Sequence, residues 1–516
     1  MSAGEGGDGR PRRGARSGSG SDSDRSASGR DRAGRQRGPA RSSGRPAPRT
    51  AQAPAQRRRG GDPARTAAFD LLRQVADSDA YANLVLPPLL RERRIVGRDA
   101  AFATELTYGT LRLRGRHDAV IAVAASRSLE SIDPPVLDLL RLGVHQLLAM
   151  RVPAHAAVSE TVGLARTAVG TGASQFVNAV LRKVGASTAE EWLARLADEA
   201  PDEVARLAVV HSHPAWVVRA MRQALVTDGR DVAELAELLA ADNAAPAVTL
   251  VARPGLADRA DVLAGTRDAR PGRWAPTAVV LPGGDPVSVA GVREARVGVQ
   301  DEGSQLVALA LVAAEPVRDG ERWLDLCAGP GGKTALLGAV AAQHGGHVVA
   351  TEVQPHRAEL VRRSTSAVPP GTVTVRSADG RDVGAEEPGA YDRVLVDAPC
   401  TGLGALRRRP EARWRRSSAD LPDLGRLQRE LLASALDAVR PGGLVAYVTC
   451  SPHVAETRLV VDDVLRRRDD VEQLDAREAV RAVAGDIPLG EGPAVQLWPH
   501  VHGTDAMHLA LLRRRA

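Results

Sequence analysis

Residues 322–334 read RWLDLCAGPGGKT, and this stretch decides the fold. An apolar run that suits a buried strand ends at Leu326, a turn with three glycines follows, and a helical pattern begins at Ala335. Glycines between a strand and a helix allow the backbone to approach a ligand closely. The ending GGKT is shared with phosphate-binding loops, but their GxxxxGK[ST] pattern needs glycine at position 327, where this chain has cysteine. We therefore predict a ligand-binding turn that does not belong to a nucleoside triphosphatase.

Strand-like and helical runs alternate from this turn to the end of the chain. The predicted strands are 322–326, 347–352, 372–376, 391–397, 443–449 and 507–512, and the predicted helices are 335–343, 354–364 and 427–439. Such alternation implies βαβ units and a buried parallel sheet, in which ligands bind at the carboxyl ends of the strands. We predict a doubly wound α/β domain over residues 301–516.

Three regions precede this domain. Residues 1–61 contain no Phe, Trp or Tyr and are rich in Arg, Gly and Ser, so we predict a disordered basic tail, either a solubilising extension or an RNA tether that neutralises phosphates. Residues 62–196 repeat apolar side chains at helical spacing, which predicts an all-α bundle. Residues 197–300 mix helical and strand-like runs and predict a small α+β connecting subdomain.

The composition excludes several classes of protein. Three cysteines in 516 residues cannot form a disulfide framework, and they show no CxxC pair for zinc. No apolar run reaches the roughly 18 residues that span a bilayer, and the N-terminus lacks the apolar core of a secretory signal. The histidines show no metal-ligand spacing. We expect a cytoplasmic monomer that uses no metal and contacts no membrane.

Two carboxylates after the glycine turn point to an adenosine-containing ligand. Glu352 ends the second predicted strand, where nucleotide-type ligands find a carboxylate for their ribose hydroxyls. Asp379 follows the third strand, where a side chain could meet an adenine edge. On this evidence alone, a redox cofactor stays possible.

All three cysteines lie at predicted strand ends. Cys327 is in the glycine turn, Cys400 is in DAPCTG at 397–402, and Cys450 is in TCSP at 449–452. A single cysteine is usually a small buried hydrophobe. Three at the ligand-binding edge of one sheet indicate chemistry, with the carboxylate Asp397 beside them.

These motifs resemble those of the RNA cytosine-5 methyltransferases of the nucleolar-protein/Sun type. The resemblance covers about residues 205–516 and is carried by QDEGSQ (300–305), LDLCAGPGGKT (324–334), DAPCTG, TCSP and GTD (503–505). The helical region resembles the RNA-binding antitermination domain of NusB type, through DAAF (99–102), Leu106, Tyr108, Gly109, Ser159, Glu160 and FVNAVLR (176–182). The pairing of the two domains is similar to that in the bacterial ribosomal RNA small-subunit methyltransferase B family.

The resemblance implies S-adenosylmethionine as the cofactor, RNA as the partner and small-subunit ribosomal RNA as the substrate. It implies that Cys450 is the nucleophile and that Cys400 helps to release the product, although the opposite assignment stays open. The chemistry of the reaction gives Asp397 a catalytic use, as the carboxyl that hydrogen-bonds or protonates nitrogen 3 of the base. Lys333 either lowers a thiol pKa or holds the base, or it only packs at the start of the helix. The implied cofactor-binding residues are Cys327, Ala328, Gly329, Pro330, Gly331, Gly332, Lys333, Glu352, Asp379 and Asp397.

An arginine-rich segment follows Cys400 directly. Arginine beside tryptophan suits phosphate contacts and base stacking, so we predict RNA contacts there. The predicted residues are Arg407, Arg408, Arg409, Arg413 and Trp414. The alternative is a solvated loop in an arginine-rich protein.

The chain also departs from the family pattern. Ala506, Met507 and His508 follow GTD where the family often has aromatic residues, and Arg253 lies where the family tends to have an Arg–Asn pair. Two other functions stay open, a cytosine-5 methyltransferase of transfer RNA or other RNA, and a non-catalytic RNA-binding regulator.

Overall fold

The N-terminal part of the described chain is a bundle of helices, as predicted. The computed structural model describes residues 61–78 and 80–516, so the predicted tail lies outside the described residues except for Gly61. Asp62 caps the first helix by accepting a hydrogen bond from the backbone N–H of Arg65 (2.9 Å), and Pro63 occupies its first position. The helices are α1 Pro63–Asp77, α2 Ala82–Glu92, α3 Gly97–Arg112, α4 Arg114–Ala125, α5 Pro134–Leu148, α6 Ala154–Ala168, α7 Thr171–Val184 and α8 Ala189–Asp198.

The connecting region combines helices with a small sheet. Its elements are α9 Glu203–Val210, α10 Ala215–Thr227, α11 Leu235–Ala241, β1 Val248–Ala252, α12 Arg259–Ala264, β2 Arg270–Pro271, β3 Ala278–Leu281 and β4 Val297–Val299. The four strands are antiparallel and lie in the order β2-β3-β1-β4. The α+β character agrees with the prediction.

The C-terminal region alternates strands and helices. Its elements are α13 Glu302–Ala313, β5 Arg322–Asp325, α14 Gly332–Gln343, β6 His347–Thr351, α15 Pro355–Ser364, β7 Val373–Arg376, α16 Val383–Glu386, β8 Tyr391–Asp397, α17 Ala412–Arg415, α18 Leu421–Ala438, β9 Val439–Thr449, α19 Arg458–Leu465, β10 Val471–Leu474, α20 Ala476–Ala484, β11 Val495–Gln496, α21 Pro499–His502 and β12 His508–Arg514. Apolar residues of α13, α14 and α20 pack on one face of the sheet, and those of α18 and α19 pack on the other.

The sheet is mixed, which corrects the expectation of a parallel sheet. The strand order is β10-β12-β9-β8-β5-β6-β7, with β11 beside β12. The five strands from β9 to β7 are parallel, whereas β12 runs antiparallel to β9 and β10 runs antiparallel to β12. The apolar run 507–512 predicted the last strand, but a run of apolar residues carries no information on strand direction.

The central strand β5 is the switch point of the sheet. The chain leaves β5 through α14 to β6 on one side, and later enters β8 on the other side. Loops therefore diverge at the carboxyl end of β5, where open α/β sheets bind their ligands.

Candidate active site

Two thiols meet at the carboxyl ends of neighbouring parallel strands. Cys400 follows β8, Cys450 follows β9, and their Sγ atoms are 3.4 Å apart. Both side chains are half-buried. The pKa of Cys450 is lowered, first by its hydrogen bond with Cys400 and further by the positive charges of Arg409 and Lys333. The same hydrogen bond, together with burial, raises the pKa of Cys400 well above its ordinary value. The pair therefore favours a Cys450 thiolate that accepts a hydrogen bond from the Cys400 thiol.

An ion pair lies beside the thiols. Lys333 Nζ, at the start of α14, is 2.7 Å from Asp397 Oδ2 at the end of β8. Burial opposes the charge of Lys333, but the attraction and hydrogen bond of Asp397 outweigh it and raise the pKa of the amine. The cation is thus fixed at this edge of the sheet.

The glycine turn forms a close-packed cradle against β6. A Cβ atom on Gly329 would lie 2.2 Å from Glu352 Oε2, and Gly331 has a φ of 105°, which other residues rarely adopt. The Glu352 carboxylate accepts hydrogen bonds from the N–H groups of Gly329 (3.1 Å) and Gln354 (3.0 Å). Gly329 and Gly331 are therefore needed for this approach, whereas a Cβ atom on Gly332 would meet only ordinary contacts.

Asp325, at the end of β5, is a buried carboxyl under the turn. Its Oδ2 accepts a hydrogen bond from Thr334 Oγ1 (2.7 Å), and its Oδ1 has no partner among the described residues. Burial raises the pKa of Asp325 to about 7. Asp325 belongs to the motif found in the sequence, but the sequence alone indicated no role for it.

The residues predicted to bind the cofactor lie along adjacent strand ends. The glycine turn follows β5, Glu352 follows β6, Asp379 lies after β7, and Asp397 ends β8. Asp379 is half-buried, and Arg381 holds its carboxylate, with an Nη2–Oδ2 distance of 2.6 Å. A cradle that side chains would fill, flanked by carboxylates at successive strand ends, fits the polar and charged parts of S-adenosylmethionine.

Cys327 differs from the other two thiols. Burial raises its pKa well above the ordinary value, and the negative charges of Asp325, Asp397 and Glu352 add to this shift. A thiol that resists ionisation is a poor nucleophile. Its place in the glycine turn therefore suits backbone contact with a ligand.

Sequence reasoning missed Glu456. This residue follows the TCSP motif in a 3-10 turn, Val454–Glu456, and its side chain is completely buried. Its carboxylate accepts hydrogen bonds from Thr401, next to Cys400, and from Ser451, next to Cys450. An acidic residue six positions after a cysteine is an ordinary pattern, so only the fold reveals the contact.

The GTD motif packs behind the thiols. Gly404 N donates to Cys450 O (2.8 Å), and Ala506 N donates to Gly404 O (2.9 Å). Met507 and His508, which stand in place of the family's aromatic residues, are buried, and burial lowers the pKa of His508 to about 4. Both lie in the sheet region and not at the surface of the cleft.

Two residues of the arginine-rich segment, Arg407 and Arg413, form internal connections, so the predicted RNA contact is wrong for these two. RNA contact by the other three residues of the prediction stays a prediction. Arg413 is fully buried and donates hydrogen bonds to Ser212 O (3.0 Å) and Asn243 Oδ1 (2.8 Å). Arg407 is also buried, and its Nη2 lies 3.4 Å from Asp505 Oδ1. Because these guanidinium groups are enclosed and bonded within the chain, Arg407 and Arg413 are not available to phosphates.

The same segment connects the helical bundle to the C-terminal α/β region. Glu411 Oε1 accepts a hydrogen bond from Ala82 N (2.9 Å), and the guanidinium of Arg409 stacks on the ring of Tyr81 at 4.9 Å. Arg408 is half-buried, its Nε 2.9 Å from Asp505 Oδ2. Trp414 is half-buried against Arg114 of α4. The segment after Cys400 therefore couples the thiol edge to the bundle.

No metal site and no membrane span are found in the described part of the chain. Within residues 61–78 and 80–516, no three side chains of His, Cys, Asp or Glu are grouped to hold a metal ion. No helix of the same residues has both the length and the apolar character for crossing a bilayer.

Comparison with known proteins decides the family. Residues 312–513 match the model of the 16S rRNA methyltransferase RsmB/F family, and residues 62–186 match the NusB family. A ribosomal RNA small subunit methyltransferase B of Salmonella paratyphi B is 31% identical over 436 residues, which cover 83% of this chain and 95% of that protein. The chain belongs to the RsmB/F family of rRNA methyltransferases. The resemblance predicted from the motifs is confirmed, and S-adenosylmethionine is the methyl donor of this family.

Two further proteins are similar to this chain over nearly its whole length. A Mycobacterium tuberculosis protein named "Putative methyltransferase" is 55% identical over 459 residues, which cover 89% of this chain and 98% of that protein. The crystal structure of PH0851 has a TM-score of 0.74 at 20% identity and covers 88% of this chain and 99% of its own. This second likeness concerns the fold, including the C-terminal methyltransferase architecture.

Proposed function

We propose that this family member methylates carbon 5 of a cytosine in 16S ribosomal RNA through a covalent bond between Cys450 and carbon 6 of the base. The observation that carries the proposal is the pair of thiols, 3.4 Å apart at the ligand edge of the sheet. A ring nitrogen or a hydroxyl oxygen has a lone pair ready for methylation, so an enzyme acting there has no use for two thiols. Carbon 5 of cytosine has no such lone pair.

Cys450 supplies the activation that carbon 5 requires. Addition of its thiolate to carbon 6 moves electron density onto carbon 5, which is covalent catalysis by a nucleophile. The lowered pKa of Cys450 supports this role, because it increases the fraction of thiolate near neutral pH. When bound, S-adenosylmethionine supplies an electrophilic sulfonium methyl group that takes up this electron pair.

Asp397 and Lys333 act on the ring. Negative charge builds towards nitrogen 3 of the base when sulfur adds to carbon 6, and Asp397 can pass a proton of its ion pair with Lys333 to that nitrogen. Lys333, 2.7 Å from Asp397, supplies the compensating positive charge. Because the target carbon lies inside a base stack in duplex RNA, the base must leave its stack to reach these groups.

Cys400 acts after methyl transfer. The proton on carbon 5 must leave as the bond between Cys450 and carbon 6 breaks, and Cys400 is the neighbouring group that can assist. The largest cause of its raised pKa is the hydrogen bond to Cys450. That bond to a thiolate no longer exists once Cys450 is joined to the base, so Cys400 ionises more readily and its thiolate is available to take the proton at the step where it is needed.

The cofactor contacts and the RNA contacts complete the proposal. We assign the methyl donor to the glycine turn at 327–333 with Glu352, Asp379 and Asp397. RNA contact is assigned to the NusB-like bundle and to the half-buried Arg408, Arg409 and Trp414 beside it.

Bisulfite sequencing of ribosomal and transfer RNA from a deletion strain tests the function. We expect one cytosine of 16S RNA to lose its protection, and the gene carrying intact Cys450 to restore it. If only transfer RNA loses its protection, the substrate is transfer RNA and not 16S ribosomal RNA. If every protected cytosine survives deletion, the protein is not a cytosine-5 methyltransferase, and a non-catalytic RNA-binding role takes its place.

A further inference from the structure

Glu456 bonds the residue that follows each thiol. Thr401 donates from its N–H to Oε1 (2.7 Å) and from its hydroxyl to Oε2 (2.5 Å), and Ser451 donates from its hydroxyl to Oε2 (2.6 Å). Thr401 is adjacent to Cys400 and Ser451 is adjacent to Cys450. A single carboxylate therefore joins the two loops that carry the sulfurs, beside the direct contact between the Thr401 and Ser451 hydroxyls (3.1 Å).

Helix α18 and strand β9 hold this carboxylate in place. Gln428 of α18 donates to Glu456 Oε1 (3.4 Å) and to Pro399 O (2.8 Å), the carbonyl that precedes Cys400. Tyr447 of β9 donates its hydroxyl to Glu456 O (2.7 Å). Glu456 is thus anchored through its side chain and its backbone, and it can transmit a fixed geometry to the thiols.

The charge of Glu456 acts on the two thiols unequally. Cys400 faces Glu456 and Tyr447, and the negative charge of Glu456 adds to the hydrogen bond and the burial that raise the pKa of Cys400. Cys450 instead faces Asp397, Arg409 and Lys333, and the two cations help to lower its pKa. The carboxylate and the cations together favour the proton on Cys400.

Glu456 places a buried negative charge between the two loops. Burying a carboxylate removes its hydration, and a buried charge is retained at the expense of stability even when it is well bonded. All contacts to the Glu456 side chain come from donors, which suits an acceptor-only group. The four donors account for a carboxylate at this place, and its negative charge also acts on the Cys400 thiol.

We propose that Glu456 is a positioning residue that holds the Cys400 and Cys450 loops at a fixed spacing and makes the two sulfurs chemically unequal. This inference rests on the proposed function for the roles of the two thiols. Its test uses the full-length protein without RNA or methyl donor, so that its outcome is independent of which RNA is methylated.

Two variants separate geometry from charge. Glu456→Gln keeps the side-chain length and removes the charge, and its amide nitrogen can donate to the Thr401 and Ser451 hydroxyls, which then act as acceptors. Glu456→Asp keeps the charge and withdraws it by one methylene group. Glu321→Gln is the matched control, since Glu321 is also a buried carboxyl, bonded to Arg393 and Trp323 at the opposite end of β5.

The first measurement is the rate of Cys400–Cys450 disulfide formation with diamide. The diazene takes two electrons and two protons from the thiols and becomes a hydrazine, so the reaction reports the spacing of the sulfurs. We expect Glu456→Asp to slow it by about tenfold, and Glu456→Gln and Glu321→Gln to change it by less than about twofold. An unchanged rate in Glu456→Asp would overturn the positioning role.

The second measurement is the ratio of Cys450 to Cys400 alkylation by substoichiometric iodoacetamide, read peptide by peptide. Each unit by which the two pKa values approach each other lowers the ratio about tenfold, and we expect at least about a threefold decrease in Glu456→Gln. Glu321→Gln should keep the wild-type ratio. If Glu456→Gln keeps it as well, the charge has no effect on the thiols and that half of the proposal fails.

Ser451→Ala gives an independent variant should the Glu456 substitutions prevent folding. It removes one donor from the connection and leaves the carboxylate in place. Slower disulfide formation in Ser451→Ala supports the connection, and an unchanged rate refutes it. If these thiol measurements succeed while no cytosine loses methylation in the deletion strain, Glu456 keeps its positioning role and the proposed RNA chemistry fails.

Discussion

Lys333 Nζ donates a 2.7 Å hydrogen bond to Asp397 Oδ2, across the gap between the start of α14 and the end of β8. The two residues act on Cys450 with opposite signs, because the cation lowers the pKa of the thiol and the carboxylate raises it. Because the two charges oppose each other, the Cys450 thiol can ionise while the cleft carries no excess charge.

Substitutions of this pair should shift the Cys450 titration in opposite directions. Lys333→Gln removes the cation and should raise the apparent pKa of Cys450, whereas Asp397→Asn removes the opposing anion and should lower it. The pH dependence of Cys450 alkylation by iodoacetamide, without RNA, measures both. A shift of the same sign in both variants would show that the ion pair acts through structure and not through its charges.

The two cysteine variants should separate nucleophile from releasing group. Cys400→Ala should form the bond to carbon 6 but release the product slowly, so a covalent protein–RNA adduct should accumulate in the presence of methyl donor. Cys450→Ala should give neither adduct nor methylated RNA. Denaturing gels with labelled 16S RNA detect the adduct, and the double variant is the control. An adduct with Cys450→Ala and none with Cys400→Ala would exchange the two roles.

The convergence of the motif residues could be predicted from the sequence, because parallel strands place their carboxyl ends at one edge. The predicted bounds of β8 agree with the structure, and Cys400 and Cys450 lie at neighbouring strand ends for this reason. Regular strands translate sequence position into spatial position. The glycine turn could also be predicted from the sequence, because the steric reasons for glycine at positions 329 and 331 are local.

The rest depends on contacts between distant segments. Arg413 has the composition of an RNA-binding residue, yet its partners Ser212 and Asn243 lie far away in the sequence. The role of Glu456 depends on Thr401, which only the pairing of β8 and β9 brings near. The position of strand β12 was predicted from the sequence, but its antiparallel direction was not. No local pattern encodes these contacts.

Gly404 should be intolerant of any side chain. A Cβ atom there would lie 2.1 Å from Ala506 O and 2.8 Å from Cys450 O, both of them backbone atoms that cannot rotate away. Gly404→Ala should therefore displace the Cys450 loop, with loss of methylation and slower Cys400–Cys450 disulfide formation. Gly163→Ala is the control, because its Cβ meets nothing within 4 Å in α6 and should add about 0.5–1 kcal/mol of stability. Wild-type disulfide formation in Gly404→Ala would contradict the contact.

Arg413→Met should destabilise the protein without a specific effect on RNA affinity. The substitution removes the hydrogen bonds to Ser212 and Asn243 and the positive charge that acts most strongly on the buried Asp242. Each buried acceptor that is left without its donor costs about 1–3 kcal/mol, so the loss of stability should exceed that of an exposed substitution. Urea unfolding measures the loss, and Arg458→Met, at an exposed arginine, should change stability by less than about 0.5 kcal/mol. Equal losses in the two variants would contradict the buried role of Arg413.

Asp242→Asn should remove part of the pH dependence of stability. Burial raises the pKa of Asp242 from 3.8 to about 7, although Arg413 and Arg407 oppose the shift, and neither carboxyl oxygen has a hydrogen-bond partner among the described residues. Because the folded protein holds this proton more tightly than the unfolded chain, the resulting stability is fully present below pH 3.8 and is lost as the pH rises through about 7.

The stability of Asp242→Asn relative to the wild type should therefore increase as the pH rises. The difference in urea midpoint between Asp242→Asn and wild type should be more favourable to the variant at about pH 8 than at about pH 5, since asparagine has no proton to lose. Asp325 and Asp228, whose pKa values burial raises to about 7 and about 6, should keep some slope in both proteins. Asp423→Asn, at an exposed carboxylate, should track the wild type at both pH values. A difference that does not change with pH would mean that Asp242 stays ionised in the folded protein, with His213 and Arg413 compensating its charge.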